Sequence, residues 1–324
     1  MSPLESAARL ADDLLFPSAL EVDRADRVPV SHFEALAREG LYGFDGDLRI
    51  VEVLASGCLA TAFVWLQHFG PLASTARRHP DLHAALAGGR LKGGIARAGA
   101  RPGTRSLTVS STVDGYVLDG PVPWVTGWGM IDIVEVAALD AGDNVVFLLV
   151  DAHDSPTLTS RLNQLVAVNA SRTVTLTFTG HRAAADRLVR KQPLQEWQAA
   201  EAPGSRLNGG LALGVAARCI RLLGTEILDT ETPLQSELDA CRRALLEADA
   251  STLPRARAAA SELAMRAATT LTVHTGSRSV LLDDHAQRLV REAAFLLVFG
   301  TRERIKNELL KALSIPLGQL SPRW

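Results

Sequence analysis

The chain changes texture twice, and this constrains its fold more than any single motif. Up to residue 92 apolar residues recur at helical spacing. From Gly93 to Val189 they fall into short runs rich in β-branched residues, and after Gln192 the helical period returns. The order is therefore helices, a β unit and a longer helical unit, an α+β arrangement. The expected units are 1–92, helical; 93–190, β; and 191–324, a helical bundle.

Within the β unit, Leu107 to Val113, Tyr116 to Leu118, Ile131 to Leu139, Val145 to Val150 and Thr173 to Phe178 read as strands. Asp114-Gly115, Asp119-Gly120 and Gly142-Asp143 read as the turns between them. Thr173-Val-Thr-Leu-Thr-Phe178 alternates, so one face of that strand meets a core and its threonines meet a polar surface.

Before it, residues 4 to 16 predict an amphipathic helix interrupted by Pro17. Ser31 is placed to cap a helix that Gly40 ends. Ile50 to Phe69 is apolar almost all round, the pattern of one helix buried in the middle of a bundle. His79 to Leu86 predicts a short helix stopped by Gly88-Gly89. After the β unit, helices are expected over Ser205–Leu223, Leu234–Ala248, Ala256–Val273 and His285–Leu313, with Pro203, Pro233 and Pro254 near helix starts. Ile305, Leu309, Leu310 and Leu313 form one apolar stripe.

Apolar residues make up 47% of 324, enough for two or three packed units. A net charge of -2 gives no electrostatic reason to bind nucleic acid or an anionic membrane. The three cysteines, Cys58, Cys219 and Cys241, form no CxxC pair, so neither a zinc knuckle nor a disulfide framework is expected, and a reducing cytoplasm fits. Met1 to Arg24 carries Glu5, Asp12 and Asp13 and lacks the pattern of a signal peptide. No apolar run has the length of a membrane span. His79 and His83 stand at i and i+4 without a third ligand close by, so no metal site is expected. Ser56 and Ser110 lack a base and the glycines of a nucleophile elbow. His68 reads as a buried, hydrogen-bonded histidine, and His274 as a polar core residue.

Gly115-Tyr-Val-Leu-Asp-Gly120 followed by Trp124-Val-Thr126 resembles the middle-domain signature of the acyl-CoA dehydrogenase superfamily. Phe33-Glu-Ala-Leu-Ala-Arg-Glu-Gly-Leu41 is similar to one of its opening helices. Thr177-Phe-Thr179 with Ala185-Asp-Arg-Leu-Val189 is similar to its exit from the β domain. Ser205-Arg206 with Gly210 and Gly214 resembles the first bundle helix, and Arg288 to Glu292 with Gly300-Thr301 the tail. The resemblance covers nearly the whole chain. It implies an N-terminal helical domain, a β-barrel-like middle domain and a C-terminal four-helix bundle.

It also implies an oxidoreductase that uses FAD, an acyl or acyl-CoA substrate, and assembly as a homo-oligomer or with a related subunit. The cofactor-binding positions it implies are Trp124 and Thr126 along the flavin ring, Ile95 and Ala96 through their backbone, and Thr301. Glu292 matches an acidic position that pairs with a nearby arginine, and Arg206 is expected to tie bundle to barrel.

Three departures accompany the resemblance. The polar Thr-Glu-Pro…Gly-Ser-Asp segment is replaced by Ile95 to Arg105, whose Arg97, Arg101 and Arg105 either meet phosphates or are solvated. The Arg-x-x-Phe-Gly of the bundle is missing between Leu223 and Leu234, and Gly276-Ser-Arg278 replaces a Gly-Gly turn. Phe299 stands where many members carry the glutamate that takes the α-proton, so the catalytic residue is left unassigned. Three functions remain: a dehydrogenase-like flavoprotein with altered chemistry, a catalytically silent subunit of a hetero-oligomer, or a flavin monooxygenase of the related branch.

Overall fold

The computed structural model describes residues 2–44, 46–101, 105–200, 202–224 and 233–314. The window expected to hold Arg-x-x-Phe-Gly falls mostly on 225–232, outside the described residues, as do 102–104 of the arginine-rich loop.

Helix α1 (Pro3–Leu10) starts from a capping box between Ser2 and Glu5. Pro17 does not interrupt the helical path. A π turn at Ala11–Leu15 leads directly into α2 (Phe16–Arg24), with Pro17 in its first turn. A helical proline lacks an N–H and crowds the carbonyl four residues back. The wider turn just before it removes both conflicts, so the helix continues. Helix α3 (Val30–Arg38) begins after Pro29, which places Ser31 inside the helix and not at its cap; Gly40 ends it in the left-handed region.

The apolar run after it is three helices and not one: α4 (Leu48–Gly57), α5 (Leu59–Gln67) and α6 (Phe69–Thr75). The first break has a packing cause. A side chain at Gly57 would lie 2.8 Å from Leu15 Cβ and 2.9 Å from the Ala11 backbone, so α4 ends pressed onto the π turn and Cys58 is extended. Helix α7 (Pro80–Ala87) ends at Gly88.

The middle unit is one mixed sheet: β1 (Gly93–Ala96), β2 (Thr108–Thr112), β3 (Gly115–Val125), β4 (Ile133–Leu139), β5 (Asn144–Asp151), β6 (Leu158–Leu162), β7 (Val174–Ala184) and β8 (Leu188–Pro193). The order is β6-β7-β3-β2-β4-β5-β8, with β1 beside β4; β1–β4 and β2–β4 are parallel and the other pairs antiparallel. Strands β1, β6 and β8 escape the sequence pattern because they are short and rich in glycine or polar residues. Strand β3 is longer than Tyr116–Leu118. Gly120, at φ +116°, carries it past the Ser106 carbonyl, which any side chain there would strike.

One sheet face packs Leu118, Val134, Leu148 and Phe178 together. The other packs Ile133, Ala137 and Phe147 against Leu72 of α6, Leu86 of α7 and Trp197 of α8 (Leu194–Ala200).

The C-terminal helices are α9 (Ala202–Leu223), α10 (Pro233–Glu247), α11 (Leu253–Thr275), α12 (His285–Val298) and α13 (Glu303–Leu313). The stretch expected as one helix from His285 to Leu313 breaks at 299–302, where Gly300 is left-handed. The apolar stripe of α13 is split. Ile305 and Leu309 are buried against Ala258 of α11, whereas Leu310 and Leu313 are about half exposed, because α13 packs through one side only.

Helices from both ends of the chain share one core, in which Leu54 and Leu59 join Leu211, Leu263 and Leu289. Gly210 and Gly214 are its tightest point. A side chain at Gly214 would meet the Glu52 carbonyl, Ala55 Cβ at 2.6 Å and Ser56 N at 2.8 Å, so α9 crosses α4 backbone to backbone. The architecture is the expected α+β one. Among the described residues no helix is long and apolar enough to cross a membrane.

Candidate functional site

Trp124 is 64% exposed, the largest side chain among the exposed apolar residues. It does not fill the sheet core. Its backbone sits at φ +62°, at a register shift between Val122 and Val125 of β3. A bulky residue in the left-handed region is strained by about 1–3 kcal/mol and persists only where its surroundings impose it.

What imposes it is a second strained segment. Val168 (φ +52°) and Arg172 (φ +46°) flank the turn that leads into β7. This turn clamps the exit of β3: Gly127 N donates to Ser171 O at 2.8 Å, Trp128 N to Arg172 O at 3.3 Å, and Arg172 Nε to Trp128 O at 3.0 Å. The turn is anchored from outside as well. Val28 N donates to Ala170 O at 3.0 Å. Arg291 of α12 donates to Val166 O at 2.7 Å while pairing with Asp23 at 2.5 Å. Val168 and Ala170 lie in the shared helical core. Sheet, N-terminal helices and bundle therefore all fix this one corner.

Inside the corner three buried hydroxyls stand in a row. Thr126 Oγ1 lies 3.0 Å from Thr173 Oγ1, which lies 2.9 Å from Ser171 Oγ. They carry three hydrogens and share two bonds, so one hydrogen has no acceptor among the described residues. Sequence reasoning missed Ser171 and Thr173. The alternating pattern puts Thr173 in a strand with its threonines outward, but β7 starts one residue later. The turn itself carries no glycine to signal its left-handed residues.

Strand β1 lies directly against this corner, for a side chain at Gly94 would come 3.4 Å from Thr126 O. Ala96 is buried in the sheet core, and Ile95 packs over Gly70 of α6. Arg97 is partly exposed and committed to a carboxylate. It pairs at 2.5 Å with Glu135, a carboxylate with 0% exposure that also accepts from Ser74. Glu135 is legible in the sequence as a charge in the middle of the apolar run Ile133–Leu139. Arg105 pairs with Asp143 at 2.7 Å. Arg101 comes close to the break after α12: burial, and then the Arg101 charge, push the Arg302 guanidinium down to about 10.

At that break Phe299 stacks on Phe295 (5.3 Å between centroids) and meets Phe63 of α5 edge-on at 4.7 Å. The place therefore holds an aromatic cluster. Thr301 donates from Oγ1 to Val298 O at 2.8 Å, closing the end of α12. Glu292 is buried and pairs at 2.6 Å with Arg288, as expected. Burial pushes its carboxyl up, against the Arg288 charge. Glu303 is exposed on α13.

Arg206 does not tie bundle to barrel. It donates to carbonyls at the end of α10, among them Ala248 O at 2.6 Å, because its own helix packs there. His274 is exposed in the last turn of α11 and is not a core residue. His68 is buried, and its Nδ1 accepts from Gly93 N at 3.0 Å. His83 Nδ1 faces Leu72 O at 3.0 Å, and no group of three potential ligands that could hold a metal ion occurs among the described residues. The structure thus sets β1, which carries Ile95 and Ala96, against the backbone of Thr126, two residues from Trp124, while Thr301 sits at the helix break that Arg101 approaches.

No protein-family model matches the chain, and no curated protein matches it. Solved structures resemble it over almost its whole length. Butyryl-CoA dehydrogenase from Megasphaera elsdenii superposes with a TM-score of 0.81 at 18% identity, over 96% of this chain and 97% of that one. A glutaryl-coenzyme A dehydrogenase in complex with glutaryl-CoA gives 0.82 at 14% identity, over 97% and 95%. FMN-bound TdsC from Paenibacillus sp. A11-2 gives 0.77 at 17% identity, over 95% of each chain. Identities this low carry the fold and nothing finer.

Proposed function

We propose that this chain, which has the fold of the acyl-CoA dehydrogenases, is a flavin-dependent oxidoreductase for an acyl or acyl-CoA substrate that works without the usual glutamate base. The observation that carries the reading is the corner at Trp124. An exposed indole is held in a strained backbone beside a buried hydroxyl row with one hydrogen to spare. Flat heteroaromatic rings stack on exposed indoles, and a spare buried donor calls for an acceptor. Both features fit the edge of a flavin, and FAD is the flavin the reading takes.

In this reading Trp124 supports the ring, Thr126 donates to its polar edge, and the backbone of Ile95 and Ala96 lines the adjacent side. The bound flavin supplies two-electron redox chemistry. The phenylalanines at 63, 295 and 299 keep water from the neighbouring space. None of them can accept an α-proton, so ordinary α,β-dehydrogenation has no proton acceptor at position 299.

Phe299 also favours a second reading, in which the chain is a silent subunit of a hetero-oligomer or a monooxygenase that needs no such base. Both are separable by experiment. The first test is an absorption spectrum of the purified protein with and without added FAD or FMN. Bands at about 370 and about 450 nm support the flavin reading; a protein that stays colourless and rejects both flavins overturns it. Anaerobic bleaching by an acyl-CoA then supports the oxidoreductase. Oxygen uptake dependent on substrate and supplied reduced flavin identifies the monooxygenase. Bound flavin inert to both, with a related subunit captured, identifies the silent partner.

A further inference from the structure

We propose that Ser171 and Thr173 are positioning residues for the flavin edge: through the row Ser171–Thr173–Thr126 they turn the Thr126 hydroxyl so that it donates outward, to the ligand. The proposal rests on the flavin reading above. It begins from the donor count. Each hydroxyl has one hydrogen and two lone pairs. With contacts of 2.9 and 3.0 Å, the row places two hydrogens internally and leaves the third on one member.

If that hydrogen stays on Ser171 or Thr173 it is orphaned in the interior, because these residues are 0% and 2% exposed and no other acceptor among the described residues reaches them. A buried donor without an acceptor is costly. Thr126 is buried too, at 3% exposed, but it alone of the three stands two residues from the exposed Trp124 and has its backbone against β1, so a ligand acceptor seated on the indole reaches it first. The arrangement that satisfies every hydrogen is Ser171 donating to Thr173, Thr173 to Thr126, and Thr126 to the ligand.

The backbone around the row is built to hold this order. Arg172, between the two positioning residues, is left-handed at φ +46° and locked by its bond to Trp128 O, while Ser171 O holds Gly127 N. The strain fixes two hydroxyls that an ordinary turn would aim elsewhere. Hydrogen bonds in a row polarise one another, so a Thr126 that accepts from Thr173 is a stronger donor.

The test is titration of the full chain with FAD and FMN, followed by flavin fluorescence, in a double-mutant cycle of Thr126→Val and Thr173→Val. Thr173→Val is expected to weaken flavin binding about twofold, because it removes the donor that orients and polarises Thr126 while leaving the Thr126 hydroxyl itself. In the Thr126→Val background it is expected to have no further effect, since it acts only through Thr126. Thr173→Ser is expected to restore binding. Ser171→Ala, further along the row, is expected to weaken binding by a smaller factor, and decides the matter if Thr173→Val does not fold. Equal binding by wild type, Thr173→Val and Ser171→Ala overturns the proposal and leaves the flavin reading standing. Additive losses in the cycle also overturn it, because they indicate a general packing role. Failure of the wild-type chain to bind either flavin overturns both.

Discussion

Arg257 of α11 donates to the main-chain oxygen of Phe299 at 3.2 Å, and so ties a wholly buried cation to the residue that ends α12. The same guanidinium donates to Leu296 O at 3.3 Å and to Ser261 Oγ. Among the described residues it has no carboxylate partner. Burial pushes it down to about 10. What compensates the charge is the carbonyl end of a helix, where cations are favoured.

The planar fork reaches two carbonyls and a hydroxyl from two nitrogens, whereas an ammonium must reach all three from one atom. Arg257→Lys therefore leaves a buried charge with fewer acceptors, whereas Arg257→Met removes the charge and keeps most of the volume. We expect Arg257→Met to melt higher than Arg257→Lys, by the equivalent of about 1–3 kcal/mol. Thermal unfolding monitored by circular dichroism reads the order, and the reverse order would mean that the charge itself stabilises the helix end.

The crossing of α9 over α4 predicts a second outcome. The atoms that a methyl at Gly214 would meet include the Glu52 carbonyl and Ser56 N, both backbone. Neither can turn aside as a side-chain tip would, so the helices must separate along the shared core. Gly214→Ala is expected to destabilise by at least about 3 kcal/mol. Gly204, with open space around it, is the control, and Gly204→Ala is expected to be neutral within about 1 kcal/mol in urea unfolding.

The fold was legible where periodicity ran long. Helices α9, α10 and α11 and the strands Ile131–Leu139 and Val145–Val150 lie within a few residues of expectation because their apolar patterns are continuous, whereas the last expected helix is two. The misses have local and distant causes. Pro17 is accommodated by the wider turn just before it, and β1, β6 and β8 are too short or polar to show a period, whereas the break at Cys58 depends on how α4 packs against a distant segment, which periodicity does not carry. The same holds for the site. Trp124 and Thr126 were visible through their motif, but the turn at 168–173 that holds them has no glycine or proline, and its strain comes from tertiary clamping alone.

His68 contributes an acid sensitivity that it shares with His285, also pushed down to about 4 by burial, and that a variant at His68 isolates. Burial pushes its pKa down from 6.5 to about 4. Its Nδ1 accepts from Gly93 N, so a second ring proton would face a donor. A base whose folded pKa lies below its unfolded value takes up protons in the unfolded chain first. Stability is therefore unaffected above pH 6.5 and is lost as pH falls toward 4, by about 1.4 kcal/mol per pH unit within that window. His68→Asn keeps an acceptor for Gly93 and does not titrate. Urea midpoints between pH 7 and 4 are expected to fall less steeply for this variant than for the wild type; parallel slopes would assign the acid limb to other groups.

The strain at Trp124 sets function against stability in a way that one substitution exposes. The indole is mostly exposed, so replacing it forfeits little burial. Its φ of +62° is natural for glycine and strained for tryptophan. In Trp124→Gly the relief of strain, about 1–3 kcal/mol, opposes the extra chain entropy of glycine, about 0.5–1 kcal/mol, and the small loss of contact. The variant is expected to unfold within about 1 kcal/mol of wild type. If the tryptophan is kept there to support a flat ligand, flavin binding should fall by about fivefold or more in the same variant, since stacking of this kind contributes about 1–3 kcal/mol. Measuring urea midpoint and flavin affinity on one preparation separates the two roles. A large stability loss would make Trp124 a structural residue after all. Unchanged stability with unchanged flavin affinity would remove it from the site while leaving its strained backbone to be explained by the clamp at Arg172 alone.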